Sequence, residues 1–187
     1  MKKTIDHILK AALITTGLSG LLALTCCDTA PPTVAGKTDL RRTSADALGQ
    51  AEQSDPSLQG IIQGSAGYAV FPDIGKGAAG IGGAYGKGDV YQNGVVVGYC
   101  DMTQASVGLQ LGGQEYSEIL IFQTPEAEAR FKAGNFTFDA QATAVAIKSG
   151  AGANAKFANE VAVFTMDQAG LMYEASVGGQ KFNYQDR

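Results

Sequence analysis

Gly75-Lys76-Gly77-Ala78-Ala79-Gly80-Ile81-Gly82-Gly83-Ala84-Tyr85-Gly86-Lys87-Gly88 is the stretch on which the fold turns, with seven glycines in fourteen residues. Its first six residues satisfy G-x-G-x-x-G and follow Tyr68-Ala69-Val70-Phe71, a run with the composition of a strand. In a dinucleotide-binding unit the third glycine opens a helix whose N-terminus receives the pyrophosphate. Here Ile81 to Gly86 follows, one of the poorest helix formers possible. Beyond it, Asp89-Val90-Tyr91-Gln92-Asn93-Gly94-Val95-Val96-Val97 sets Asn-Gly between β-formers, the strongest hairpin signal in the chain. The G-x-x-x-x-G-K-[ST] order of a P-loop is absent as well. The cluster therefore reads as a Gly-rich strand or pair of strands, where glycine permits bends, bulges and the close approach of another backbone or a ligand.

Strand patterns extend outward from this centre. Pro72-Asp73 predicts an end and turn for the strand at 68–71, and further strands are expected at 104–111, 117–123, 135–148, 160–166 and 171–184. Many alternate or are punctuated by glycine, as in an antiparallel sheet with one solvated face. A helix is predicted over 38–54 with Thr38 as its cap and Leu40, Ala47, Leu48 and Ala51 on one side, broken at Asp55-Pro56 and followed by a short helix over 57–63. A third helix begins at Thr124-Pro125 and stops at Gly134. Its pairs Glu126/Arg130 and Glu128/Lys132 read as a solvated face, and Ala127 and Phe131 as its docking side. The fold class is α+β, mainly antiparallel β: a Gly-rich curved sheet or barrel-like β core with two or three short helices, in one domain.

The N-terminus reads as an address. Lys2 and Lys3 precede a largely apolar run, Ala11 to Leu24, which has the length of a signal h-region and falls short of the ~20 residues that span a bilayer. Leu24-Thr25-Cys26-Cys27 then resembles the bacterial lipobox, with Cys27 as the better-placed acyl acceptor and Cys26 as the alternative. The expected division is a signal peptide over 1–26, an acylated N-terminus and Pro-containing tether over 27–37, and a domain over 38–187. Two or three acyl chains at ~0.8 kcal/mol per methylene hold such a protein on a membrane. The destination is the cell envelope, on the periplasmic side or at the surface, with inner and outer membrane both open.

Composition narrows the chemistry. The 187 residues carry a formal charge of −4, and removal of Lys2, Lys3, Lys10 and Asp6 with the signal takes it to −6. Nucleic acid, which needs a surplus of Lys and Arg, is disfavoured as a partner. The sole histidine, His7, belongs to the signal, so the mature chain is expected to lack the usual general base and zinc ligand. Glu115, Glu118 and Asp101 read as strand-surface charge, and no catalytic residue, metal site or cofactor is assigned. Cys100, within Val95 to Cys100, reads as a buried strand residue.

The segments Ala66-Gly67-Tyr68-Ala69-Val70-Phe71-Pro72, the glycine cluster, Gly108 to Gln114, Ile119-Leu120-Ile121-Phe122, the helix at 124–133 and the tail at 160–182 together resemble the SYLF domain, also called the Ysc84 actin-binding domain. The resemblance implies a lipid-binding envelope module and brings no catalytic residues. Eukaryotic members are associated with phosphoinositide-containing membranes and with actin, and they precede the core with a basic amphipathic segment that engages phosphoinositides. This chain has only Arg41 and Arg42 there, on a mature net charge of −6, so headgroup capture by a polybasic patch is expected to be weak and actin binding is less supported still. Candidate ligand-binding residues are Phe71, Lys76, Gly77, Gly80, Tyr85 and Lys87, with either lysine contacting an anionic group. The expected function is non-enzymatic binding of phospholipid or a phosphoinositide-like lipid. The alternative is a structural lipoprotein that binds an envelope protein or peptidoglycan.

Overall fold

A computed structural model describes residues 28–78, 82–106, 114–138, 143–152, 155–167, 174–176 and 179–187. Three helices, α1 (Val34–Ser54), α2 (Ser57–Gln63) and α3 (Pro125–Lys132), accompany strands β1 (Gly67–Ala78), β2 (Gly82–Gln92), β3 (Val95–Ser106), β4 (Gln114–Phe122), β5 (Thr143–Ala146), β6 (Val161–Asp167), β7 (Glu174–Ser176) and β8 (Gln180–Asp186). The strands form one open sheet in the order β7-β5-β6-β4-β1-β2-β3-β8. All described pairings are antiparallel except β5 with β6.

The glycine cluster supplies the end of β1 and the start of β2, which pair directly from Gly77 opposite Gly83 to Ile74 opposite Gly86. Asn93 and Gly94 form the hairpin turn with φ of 49° and 75°, the left-handed geometry that this dipeptide tolerates. Pro72, expected to end a strand, instead lies within β1. Both ladders skip there, between Val70 and Asp73 toward β2 and between Phe71 and Ile74 toward β4. A bulge is where a central strand can take a residue with no N–H to donate. Glycine is required at Gly88, where a Cβ would stand 2.4 Å from the Val70 carbonyl oxygen.

Both faces of the sheet are covered. On one side Tyr68, Val70, Tyr91, Ile119, Ile121 and Phe164 pack under Ala47 and Ala51 of α1 and Leu58 of α2. Tyr68 stacks on Tyr91 across the ladder, with ring centroids 4.9 Å apart. On the other side Phe71, Leu120, Phe122 and Met102 meet Ala127 and Phe131 of α3, with Phe136 and Phe138. In a flat sheet β8 would lie about 14 Å from β1, three spacings of ~4.8 Å. Yet the Phe71 and Phe182 rings are 5.9 Å apart, and Gln180 on β8 donates to Glu118 on β4 at 3.0 Å. The sheet is therefore curled, and side chains span the interior between its strands.

Several local expectations need correction. α1 starts at Val34, capped by Thr33, whose hydroxyl accepts from the Gly36 amide; it spans 21 residues and is not short. The strand expected over 135–148 is confined to Thr143–Ala146 among the described residues, and the segment over 171–184 is divided between β7 and β8. α3 begins as expected, with the Thr124 hydroxyl accepting from the Ala127 amide. Its charges do not form a solvated face throughout: Glu128 is buried, accepting from Gln92 and pairing with Lys132 at 2.8 Å. Arg130 pairs with Glu160 in place of Glu126. Glu118 and Asp101 are likewise buried and not strand-surface charges.

Candidate functional site

The residues singled out for ligand binding separate into three environments. Phe71 is fully buried against Phe182, so its ring serves the core. Tyr85, on β2 opposite Gly75 and Thr103, is 47% exposed. Lys76 and Gly77 lie on β1 opposite Ala84 and Gly83. The Lys76 side chain, Gly80 and Cys27 fall outside the described residues.

Lys87 has the most defined role. Its ammonium donates to the backbone carbonyls of Asp28 at 2.5 Å and Thr29 at 2.9 Å. The Ala30 amide donates to Gln185 Oε1 at 3.0 Å, and Ala30 itself is buried. Lys37, near the start of α1, places its ammonium 5.2 Å from the centre of the Tyr99 ring. Residues 28–30 thus lie bound to the sheet, where the sequence predicts a tether. Lys87, expected to contact an anionic ligand, instead directs its charge at carbonyl oxygens of its own chain.

Beside Asp73, the β1 partner of Lys87, a groove of about 380 Å³ runs between α1 and strands β1, β4 and β6. Thr43, Asp46, Gln50, Asp73 and Ser117 are among its lining. Two carboxylates and, among the described lining residues, no basic residue oppose an anionic headgroup, with Arg42 pairing to Asp46 from outside the lining at 3.2 Å.

Further along α1 lies a polar cluster that sequence reading missed. Asp89 on β2 is fully buried beneath α1, which brings Ser44 and Arg41 to it. Burial pushes its carboxyl up to about 6, and the Ser44 hydroxyl with the Arg41 and Arg187 charges limits the rise. Burial also raises the Cys100 thiol, which is fully buried as expected. Among the described residues no group of three His, Cys, Asp or Glu could hold a metal ion, and no helix is long and apolar enough to cross a membrane.

Asp89 carries a pH prediction. The folded protein binds its proton more tightly than the unfolded chain, so its contribution to stability is full below pH 3.8 and is lost as pH rises through about 6. Asp89→Asn should remain level with wild type near pH 4 and become the more stable of the two by pH 7.5. Urea unfolding across this range measures the crossover; identical profiles for the two proteins would refute it.

The fold is thus a curled, mainly antiparallel sheet between two helical layers, a scaffold whose exposed Gly75/Tyr85 end is the candidate contact region. Residues 103–187, a little under half of the chain, match the Ysc84 family model, described as Las17-binding protein actin regulator. The match takes in β4, α3 and β8, while the glycine cluster lies before it. No curated protein matches the chain.

Proposed function

We propose that this protein is a non-enzymatic lipid-binding module held at the bacterial envelope by acylation of Cys27. The Ysc84 match over 103–187 carries this reading, and the lipobox-like Leu24-Thr25-Cys26-Cys27 supplies the anchor. Tyr85, exposed beside glycine-rich backbone, offers an amphipathic ring suited to a membrane interface. Between the sheet and α3, Phe71, Phe122, Phe131 and Phe182 fill the interior, which directs lipid contact to the surface. The test is co-sedimentation of residues 28–187 with zwitterionic and anionic liposomes. A domain cut at residue 38 would lose the Thr33 cap and the first turn of α1. The expected result is binding that weakens when Tyr85 is replaced by Ser. No co-sedimentation with either liposome, and no lipid retained in native mass spectrometry, would overturn the reading.

The acidic groove beside α1 favours a second reading, in which the domain binds another envelope protein or peptidoglycan and touches lipid only through its anchor. Asp46, Asp73, Gln50 and Thr43 offer hydrogen-bonding groups suited to a polar or cationic surface. This reading predicts that the unacylated domain ignores liposomes and is retained by cell wall or by an envelope protein, with Asp46→Asn weakening retention.

A further inference from the structure

The placement of residues 28–30 fixes more than a local contact. A free chain from residue 28 to 37 could extend roughly 35 Å and would let the domain turn in any direction above a membrane. In the structure Lys87 holds the Asp28 and Thr29 carbonyls, Gln185 holds the Ala30 amide, and the Thr33 cap and Val34 follow directly. Cys27 is one peptide link from Asp28, so a chain acylated there would be tied to its anchor one residue before the strap that Lys87 holds.

The geometry points to a defined membrane-facing surface: the part of the sheet around Lys87 and Tyr85 lies against the bilayer, and the Asn93-Gly94 hairpin, beyond the opposite end of β2 from Tyr85, stands away from it. The inference rests on acylation of Cys27 as proposed above. Tyr85 is two residues from Lys87 on the same face of β2. Val95, 59% exposed and paired with Gln92, stands five strand residues, roughly 17 Å, along the ladder in the opposite direction. Three backbone contacts to a strap this close to the anchor leave little chain in which to reverse that order. The partner of the surface is the phospholipid of the protein's own membrane. Lys87 acts by positioning and not by gripping a headgroup.

The chain contains no tryptophan, so a single introduced indole reports its own surroundings. The full-length protein is expressed with its signal, purified as the processed form and reconstituted into phosphatidylcholine vesicles containing brominated lipid. The Tyr85→Trp reporter should be quenched at least threefold more strongly than the Val95→Trp reporter. Adding Lys87→Met, which releases the strap, should reduce that ratio toward one. Two control readouts separate the possible failures. Intact mass, compared with Cys27→Ser, reports acylation; without acylation the anchor reading and this inference both fall. Hydrogen exchange at the Ala30 amide reports docking of the strap; an unprotected amide overturns the inference alone. With acylation and protection both present, equal quenching of the two reporters also overturns the inference and leaves the anchor reading intact.

Discussion

Phe182→Ala is expected to destabilise the protein by about 3 to 5 kcal/mol, the range for truncating a buried phenylalanine. Phe182 lies on the edge strand β8 but is almost completely buried. Its ring stands 5.9 Å from Phe71, 5.3 Å from Phe131, 6.2 Å from Phe136 and 6.1 Å from Phe138. These partners come from β1, from α3 and from the segment after α3, so one side chain joins the curled edge of the sheet to the layer beneath it. Its removal costs the transfer energy of the ring and leaves a cavity that four neighbouring rings cannot collapse to fill. Against a total of ~5–15 kcal/mol for an ordinary domain, that is a large fraction. Urea unfolding measures it, and Phe182→Leu, which refills part of the volume, should recover about half. A loss below 1 kcal/mol for the alanine variant would show that β8 does not hold the curl.

The same contact shows what sequence could and could not disclose. Elements set by neighbouring residues were legible: the Asn93-Gly94 turn, the Thr124-Pro125 start of α3, and the strand character of the glycine cluster. Curvature was anticipated from glycine, but closure of the interior by Phe182 and by Gln180 with Glu118 depends on strands far apart in the chain. Pro72 resembled a terminator because its missing N–H is a local property, whereas the bulge that accommodates it is defined by two partner strands. Glu128 resembled surface charge for the same reason, since Gln92 and the space left by Gly67, where a Cβ would stand 2.9 Å from the carboxylate, come from other strands. At the candidate site, Tyr85 is exposed and Phe71 is core, a division that simple alternation does not give because β1 is bulged at Pro72. The partners of Lys87 lie 57 to 59 residues away in sequence, beyond the reach of any pattern.

Asp55→Ala should cost about 3 kcal/mol, because a buried carboxylate that satisfies several donors leaves them unpaired when it is removed. Asp55 was legible only as a helix breaker with Pro56. In the fold its Oδ2 accepts from the Gly152 amide at 2.6 Å, and its Oδ1 from the Ser57 hydroxyl at 2.8 Å and the amides of Ser57 and Gly150 at 3.1 and 3.3 Å. The residue thus ends α1, accepts from the first residue of α2 and fastens the loop at 150–152, ahead of β6, to the α1–α2 corner. Burial alone would raise its carboxyl, but the hydrogen bonds from Gly152, Ser57 and Gly150 outweigh burial and hold it below the usual 3.8. The sign is therefore opposite to that of Asp89: this contribution is present above pH 3.8 and is lost as pH falls through the depressed value. Wild type and Asp55→Ala should differ most at neutral pH and converge in acid, while wild type and Asp89→Asn should converge near pH 4 and separate above it. Unfolding free energies of the three proteins between pH 3 and pH 8 distinguish the two carboxylates. If the Asp55 difference grew on acidification, its hydrogen bonds would have to favour the protonated acid, contrary to a carboxylate that accepts from two glycine amides.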